Sequence, residues 1–196
     1  MNSRSVDFFD RQFAQQVATA DYALNPFERA VLPYLQGEVL ELGCGLGNLA
    51  LAAAQAGCRV TAVDASPIAV ADLQRRAAAL GVALHAAAAE LRSYKAVRQY
   101  DGVVSIGLLM FFPCAEARAV LGELRASVRP RGIAAVNVLI EGTTFMAMFD
   151  PAGYCLFGPE ELAAAFQGWD VLLSRHEDFP APGGTRKRFH TLIARR

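Results

Sequence analysis

One run of eight residues carries the clearest chemistry in the chain. Residues 41–48 read ELGCGLGN, with glycine at positions 43, 45 and 47 and a carboxylate, Glu41, two residues before the first glycine. Glycines in a turn between a strand and a helix let the backbone approach a ligand closely, and amides at the helix N-terminus face that ligand. The run therefore predicts a small-molecule site built largely from backbone.

The same run separates two classes of ligand. The dinucleotide fingerprint is G-x-G-x-x-G, whose amides bind a pyrophosphate, but here the sixth position is Asn48. A carboxylate at Glu41 would repel a pyrophosphate and would suit a ligand with a cationic amine, such as an amino-acid moiety. A ligand with a cationic amine is therefore favoured over the dinucleotide of an oxidoreductase. A third interpretation is a tight turn that binds no ligand and uses glycine only for its geometry.

Two further carboxylates follow later predicted strands. Asp64 ends the second strand, 19 residues after Gly45, where an acid in βαβ nucleotide sites accepts both ribose hydroxyls. The alternative, a cap of the next helix, is already provided by Ser66. Glu90 follows the third strand, near the expected place of an adenine edge, although a solvated loop carboxylate is nearly as good an interpretation.

Strands and helices alternate along the chain in a way that places these residues at one edge of a sheet. The predicted strands are 38–42, 59–64, 82–89, one within 100–109, 133–140, and two late ones near 169–177 and 186–196. The predicted helices are 49–57, 66–81, 115–128 and a short one that begins at Pro159. This alternation indicates parallel βαβ units with right-handed crossovers. Residues 5–35 predict one or two extra helices that cover the site.

The motifs together resemble the class I S-adenosylmethionine-dependent methyltransferases. The resemblance covers about residues 38–140 and rests on ELGCGLGN, VDAS around Asp64, AEL at Glu90 and YDGVVSIG at 100–107. It implies an α/β, Rossmann-like fold with a seven-stranded, mostly parallel sheet of order 3-2-1-4-5-7-6, in which strand 7 is antiparallel. Residues 1–196 would form a single methyltransferase domain, with an N-terminal helical cover at 1–36 and the Rossmann-like core at 37–196.

The resemblance also implies the cofactor, S-adenosyl-L-methionine, and the residues that bind it. They are Glu41, Gly43, Cys44, Gly45 and Gly47 in the glycine run, Asp64 and Ala65, Glu90 and Leu91, and Ile106 and Gly107. The glycines would surround the methionine part, with Glu41 at its amino end. Asp64 would bind the ribose hydroxyls and Glu90 the adenine amino group, where the family commonly has Asp. Ile106 and Gly107 would lie beside the sulfonium.

The later segments are similar to small methyltransferases of the tellurite-resistance type. The similar segments are YDGVVSIGLLMFF, RPRGIAAVNVLI, FGPEELAAAFQGWDVLLSRHE and RFHTLIARR. That family usually starts the helix after the glycine run with an Arg-Asn pair, where this chain has Asn48-Leu49. The missing cation argues against tellurite or selenite as the acceptor. A small-molecule acceptor is therefore the preferred interpretation, and an oxyanion methyltransferase is kept as an alternative.

Methyl transfer from S-adenosylmethionine requires few catalytic side chains. Methyl transfer from a sulfonium is an in-line displacement by an activated donor, so the protein mainly aligns and desolvates the acceptor. No catalytic residue is assigned, because His85, His176 and His190 lie in predicted strands and are interpreted as structural. A cofactor-binding module without turnover is therefore a second alternative. Candidate walls of an acceptor pocket are Phe8, Phe9, Tyr22, Phe27, Phe111, Phe112, Phe145, Phe149, Tyr154 and Phe157.

Composition limits the partners. The 196 residues are 54% hydrophobic, and the formal net charge is +0, which disfavours a nucleic-acid acceptor. DNA and RNA amino-methylating enzymes carry an Asn/Asp-Pro-Pro-aromatic motif where this chain has SIGL at 105–108. The start predicts no signal peptide, and no apolar run is long enough for a membrane helix. We therefore expect a cytoplasmic monomer or homodimer with a small-molecule acceptor and no membrane partner.

The cysteines predict reduced thiols. Cys44, Cys58, Cys114 and Cys155 are widely spaced and form no CxxC pair, a pattern that favours neither a disulfide framework nor a zinc site. No metal site is predicted from carboxylates either. A weaker hypothesis is that Cys44, Cys114 and Cys155 converge near the site and bind arsenite through soft thiolate ligands.

Overall fold

The structure, a computed structural model, describes residues 4–196 and contains one sheet flanked by helices. The strands are β1 (Glu38–Leu42), β2 (Arg59–Asp64), β3 (Leu84–Ala88), β4 (Tyr100–Ile106), β5 (Val128–Leu139), β6 (Asp170–Ala181) and β7 (Thr185–Arg195). The α-helices are α1 (Arg4–Thr19), α2 (Pro26–Val31), α3 (Asn48–Gln55), α4 (Pro67–Leu80), α5 (Cys114–Ala126) and α6 (Glu161–Ala165).

The strand order is β3-β2-β1-β4-β5-β7-β6. Strands β1 to β5 are parallel to one another, whereas β7 is antiparallel to both β5 and β6. This topology confirms the predicted fold class, including the position and direction of the seventh strand. The order reverses between β1 and β4, and ligands of open α/β sheets bind outside the carboxyl ends of the strands at such a point.

Side chains of the central strands alternate between two apolar cores, one on each face of the sheet. On β1, Leu40 and Leu42 pack in the core that contains α5 and α6. Val39 packs in the other core, with α3 and α4. Glu41 shares the face of Val39, because residues two apart on a strand point the same way. The sequence therefore buries a carboxylate on a face that is otherwise apolar.

Helix α4 shows why the predicted boundaries near the site are accurate. Its N-cap Ser66 accepts a hydrogen bond from the Ala69 amide, Pro67 occupies the first turn, and Gly81 ends the helix with a left-handed φ of 62°. Each residue has the conformation that its chemistry favours. Local signals therefore position this helix directly after Asp64.

The sheet differs from the sequence prediction at its far side. Strand β5 begins at Val128, before the predicted start at residue 133, and its pairing with β4 shifts register between Tyr100 and Gly102. The RPRG segment at 129–132 is therefore an irregular first part of β5, with Arg131 at a φ of 65°. Strand β6 extends to Ala181, four residues beyond the prediction, because the full hairpin pairs with β7.

The prediction of reduced thiols is wrong for one pair, because Cys114 and Cys155 form a disulfide. Cys114 begins α5, after β4, and Cys155 lies in the segment that follows β5. These segments meet because β4 and β5 are neighbours in the sheet, a proximity that a sequence separation of 41 does not reveal. Cys44 and Cys58 are buried free thiols. The three-thiolate arsenite hypothesis is therefore also wrong.

Removal of this disulfide should destabilise the fold. A cross-link closing a loop of this length restricts the unfolded chain, so we expect the variant C114S/C155S to lose about 2–4 kcal/mol of unfolding free energy. Urea unfolding of the oxidised protein and the variant measures the difference. The variant should be insensitive to reductant, and reduced wild-type protein should match it. Equal stabilities of the variant and the oxidised wild type would contradict the prediction.

Candidate active site

A cavity of about 640 Å³ lies at the carboxyl edge of β1, β2, β4 and β5. Residues of α1 and of the segment around α2 contribute to its walls, so the N-terminal helices cover it. Every cofactor-binding residue predicted from the sequence lines this cavity. These residues are Glu41, Gly43, Cys44, Gly45, Gly47, Asp64, Ala65, Glu90, Leu91, Ile106 and Gly107. The structure thus brings the set together, while their individual roles stay predictions.

The glycine run is a left-handed turn. The φ angles of Gly43, Gly45 and Gly47 are 77°, 53° and 66°, a region that side-chain-bearing residues rarely occupy. A Cβ at Gly47 would lie 2.3 Å from Leu73 Cδ2. A Cβ at Gly45 would meet the ring of Phe13 from α1 at 3.1 Å. The glycines therefore serve the turn and also permit close approach of the cover helix.

Asp64 is held at the end of β2 by the glycine run itself. Its Oδ2 accepts a hydrogen bond from the Gly45 amide at 2.7 Å, and its Oδ1 accepts one from the Ser66 amide at 2.9 Å. Burial raises the pKa of Asp64, although these amide hydrogen bonds oppose the rise. Each carboxylate oxygen has a further lone pair. Asp64 can therefore accept hydroxyl groups from a ligand while it fixes the loop.

Glu41 lies beneath the same turn. Its side chain is buried, and its Oε2 has no hydrogen-bond partner among the described residues. Burial raises the pKa of Glu41 well above its usual range, and the nearby charges of Glu28 and Asp64 raise it further. A hydrogen bond with the Ala50 backbone opposes the rise, but a buried carboxyl oxygen without a partner is costly. An ammonium group of a ligand at this position would supply the missing charge and hydrogen bond.

Glu90 lies at the exposed side of the cavity. Its Oε1 accepts a hydrogen bond from the Arg92 amide at 3.1 Å, and the carboxylate belongs to an exposed residue. The neighbouring Leu91 is buried and contributes an apolar surface to the cavity. This arrangement places an apolar side chain beside an acidic rim, which would suit a purine ring with an exocyclic amine.

The cover helices are attached at two separate places. Helix α1 contacts the cofactor side, where Asp10 shares a short hydrogen bond with Ser66 and Phe13 lies against Gly45. Helix α2 is fixed by a capping box formed by Asn25 and Glu28. Its Phe27 packs on rings of the β6–β7 hairpin. Residues of both helices therefore reach the cavity wall, at separate places.

Only part of the predicted aromatic wall faces the cavity. Phe9, Phe27, Phe111 and Phe112 line it, whereas Phe157 is fully buried in the core. Sequence reasoning did not assign Asn137, Lys187 and Phe189 to the wall, although all three line the cavity. The sequence could have indicated Asn137 as a site residue, because it is a polar residue within the apolar run IAAVNVLI. The sequence did not indicate Lys187 as a site residue, because the TRKRFH cluster is typical of a solvated strand end.

The three histidines do not line the cavity. His190 is buried, its Nε2 lies 2.9 Å from Ser174 Oγ, and its ring packs edge-on against that of His176. Burial lowers the pKa of His190, and the neighbouring His176 lowers it further. These contacts agree with the structural interpretation given to the histidines from the sequence.

The Asn48 position does have a cation beside it, but that cation is already paired. Arg76 from α4 donates to Asn48 Oδ1 at 3.3 Å and to Asp72 Oδ2 at 2.8 Å. Its guanidinium also lies 4.0 Å from the centroid of the Tyr22 ring. The guanidinium is therefore engaged by protein groups and does not line the cavity.

The described residues offer neither a metal cluster nor a membrane-spanning helix. Within residues 4–196, no group of three or more His, Cys, Asp or Glu side chains is arranged to hold a metal ion. In that same range, none of the helices has the length and apolar character needed to cross a membrane.

Sequence comparison agrees with this architecture. Residues 39–132 match a family described as a methyltransferase domain. The chain is 27% identical over 168 residues to Hemagglutinin 1 of Eikenella corrodens, a match covering 85% of this chain and 53% of that protein. The chain therefore spans about half the length of this curated relative.

Solved structures share the fold. TehB from Haemophilus influenzae superimposes with a TM-score of 0.77 at 18% identity, over 89% of this chain and 63% of that one. The N-methyltransferase NodS from Bradyrhizobium japonicum WM9, solved with S-adenosyl-L-homocysteine, gives a TM-score of 0.73 at 16% identity, over 98% of both chains.

Residues 39–132 thus match a methyltransferase domain, and the fold is that of class I S-adenosylmethionine-dependent methyltransferases. The superposition on TehB confirms the predicted likeness to methyltransferases of the tellurite-resistance type at the level of the fold.

Proposed function

We propose that the chain binds S-adenosyl-L-methionine in this cavity and transfers its methyl group to a small-molecule acceptor. The observation that carries the proposal is the unpartnered buried oxygen of Glu41, which lies beneath the glycine turn in the same cavity as Asp64. A ligand with an ammonium group and ribose hydroxyls satisfies both carboxylates. A pyrophosphate would oppose them, which argues against a dinucleotide cofactor.

Each part of the cofactor has a matching part of the cavity. The amides of the glycine run and Glu41 would bind the methionine moiety, and Asp64 would bind the ribose. Leu91 and Glu90 would contact the adenine from its face and its edge. Ile106 and Gly107, at the end of β4, would lie beside the sulfonium.

The bound cofactor would supply an activated methyl group, so the protein's task is alignment and exclusion of water. The cover helices and the rings of Phe9, Phe111 and Phe112 enclose the cavity. An acceptor held in line with the sulfonium gains most of its rate from orientation and desolvation. A nucleophile that is neutral and unprotonated at its reacting atom would need no base from the protein.

Two alternatives predict different behaviour. Tellurite or selenite methylation requires a cation that attracts the oxyanion close to the methyl donor, and the cation next to Asn48 is paired with Asp72. A cofactor-binding module without turnover would retain Glu41 and Asp64 but would need no space for an acceptor. The apolar far end of the cavity, lined by Phe27, Met148 and Phe189, favours an enzyme with an organic acceptor.

Calorimetry and a product assay on the purified full chain test the proposal. We expect saturable binding of S-adenosylmethionine, no binding of NAD(H), and formation of S-adenosylhomocysteine with at least one member of a panel of amines, phenols, thiols and carboxylic acids. Binding of NAD(H) instead would contradict the cofactor. Cofactor binding without turnover on the panel would favour the binding module, and turnover with selenite alone would favour the oxyanion enzyme.

A further inference from the structure

We propose that Lys187 on β7 binds an anionic group of the methyl acceptor, so that the substrate class is an elongated, apolar small-molecule acid. Asn137 on β5 would position the reacting end of the same molecule. The inference rests on the proposed methyltransferase function, and it adds which residues recognise the acceptor and which chemical groups of the acceptor they bind.

Lys187 is a cation without a carboxylate. It lines the cavity and is partly buried, and no ion pair joins it to any residue of the described chain. The other lysine or arginine in the cavity wall, Arg92, has Glu116 at 3.9 Å. Nζ of Lys187 instead lies 4.9 Å from the centroid of the Phe145 ring. The ammonium is therefore kept close to the cavity by an aromatic face.

This environment makes an anionic ligand favourable. Burial lowers the pKa of Lys187, since the ammonium loses water there and gains no protein anion. A carboxylate on the ligand would restore the lost interaction through a charge-assisted hydrogen bond. The acidic end of the cavity, with Glu41 and Asp64, would repel the same carboxylate. The charges therefore orient an acidic acceptor with its anion away from the cofactor.

The surroundings of Lys187 are apolar and aromatic. Phe189 follows it by two residues on β7, and its ring lies 5.0 Å from that of Phe27 and 5.8 Å from that of Phe179. Phe27, Met148 and Phe189 all line the cavity. An acceptor body that reaches Lys187 must pass these side chains. It should therefore be hydrocarbon or aromatic between its two functional ends.

Asn137 marks the other end of the acceptor. It is almost fully buried, its Nδ2 donates to Thr191 Oγ1 at 2.8 Å, and its Oδ1 has no partner among the described residues. Its backbone carbonyl accepts a hydrogen bond from the Gly107 amide at 3.0 Å, next to the predicted sulfonium position. The unpartnered Oδ1 can accept an N–H or O–H of the acceptor there, so Asn137 is a positioning residue.

The sheet fixes the spacing of these two groups. Asn137 lies opposite Thr191, and Lys187 precedes Thr191 by four residues, on the same face of β7. Four residues of strand span about 13 Å. The lysine side chain shortens that gap by several ångströms, so the acid and the nucleophile of the acceptor should be separated by roughly one ring and a short chain.

A comparison of matched acids and amides tests the assignment. The probes are aromatic amines, phenols and thiols that carry a carboxylic acid at the far end, each paired with its neutral carboxamide. Binding to the complex of the full chain with S-adenosylhomocysteine is measured by calorimetry, and turnover by S-adenosylhomocysteine release. Wild-type protein should prefer at least one acid over its amide by about tenfold or more, the range of a charge-assisted hydrogen bond.

Variants assign that preference to Lys187. K187M should reduce the acid-to-amide ratio to below about threefold, and K187R should retain most of it. The matched control is K95M, because Lys95 is the other of the chain's two lysines and pairs with Glu123 outside the cavity. N137L should lower kcat for amine and phenol probes more than it raises KM, because it removes alignment at the reacting end.

The outcomes separate this inference from the function on which it rests. If wild-type protein binds S-adenosylmethionine but prefers no acid over its amide, the role of Lys187 is wrong and the methyltransferase proposal stands. The role is also wrong if K187M keeps the acid preference, or if it weakens cofactor binding as strongly as acid binding. If the protein does not bind S-adenosylmethionine, the proposed function itself fails.

Discussion

Replacement of Asp64 by alanine should weaken S-adenosylmethionine binding by about 1.5–3 kcal/mol, or roughly 10- to 150-fold. The variant loses the carboxylate that would accept the ribose hydroxyls. It also leaves the Gly45 and Ser66 amides without the acceptor that they have in the structure. The glycine run should therefore lose part of its fixed geometry, which adds to the loss of affinity. Calorimetric titration of the cofactor measures the effect.

Asp101 provides the matched control. It also accepts a hydrogen bond from a backbone amide, that of Glu38 at 2.8 Å, but it does not line the cavity. D101A should lower stability and leave cofactor affinity within about twofold of wild type, because surface effects are local. An unchanged affinity in D64A, or equal losses in both variants, would refute the ribose role of Asp64.

Replacement of Glu41 by glutamine should affect binding and stability in opposite directions. The variant removes the negative charge proposed to meet the ligand's ammonium, so the affinity for S-adenosylmethionine should fall by about tenfold or more. It also removes a buried ionisable group whose pKa is raised by burial. The melting temperature of the ligand-free protein at pH 7.5 should therefore rise by about 2–4 °C, equivalent to about 1 kcal/mol.

The sign of the pH dependence follows from the raised pKa of Glu41. Above the ordinary pKa of 4.5, the unfolded chain releases the Glu41 proton while the folded chain retains it. The folded state then binds more protons, so its stability falls as pH increases toward the raised pKa. E41Q should flatten this decline in thermal unfolding measured between pH 5 and pH 8. A parallel pH profile in wild type and E41Q would contradict the assignment.

Glu38 on the same strand is the control for Glu41. It lies at the opposite end of β1 and pairs with Arg129 and Arg98. The hydrogen bond from Arg129 lowers the pKa of Glu38, and the charges of Arg98 and Arg129 lower it further. Its contribution to stability is present above its unfolded pKa and is lost as pH falls. E38Q should therefore be less stable than wild type at neutral pH, with cofactor binding unchanged. The two variants thus differ in the sign of both effects.

The fold and the cofactor half of the cavity could be predicted from the sequence because their signals are local. β1 and β2 have the predicted bounds, and α4 begins at its predicted cap, since alternation, capping and glycine act within a few residues. The glycine run and Asp64 lie at strand ends, and parallel strands carry such residues to one edge. The resemblance then supplied the strand order that local signals leave open.

The acceptor half could not be predicted because it depends on contacts between distant segments. Lys187 lines the cavity only because β7 returns beside β5, and its sequence neighbours Arg186 and Arg188 are typical of an exposed strand end. The link between Cys114 and Cys155 likewise needs the adjacency of β4 and β5. Residue spacing in the sequence predicts neither the position of Lys187 in the cavity nor the pairing of the two cysteines.

The disulfide has a practical consequence for any search for the substrate. Cys155 also donates its amide to the Met110 carbonyl, so the cross-link fastens the chain after β5 to the chain after β4. Both stretches contribute walls to the acceptor end, through Phe111 and Met148. Thiol reductants, which are routine in assay buffers, would release one wall from the other. Candidate acceptors should therefore be screened against the oxidised protein as well as the reduced protein, since the two present differently constrained pockets.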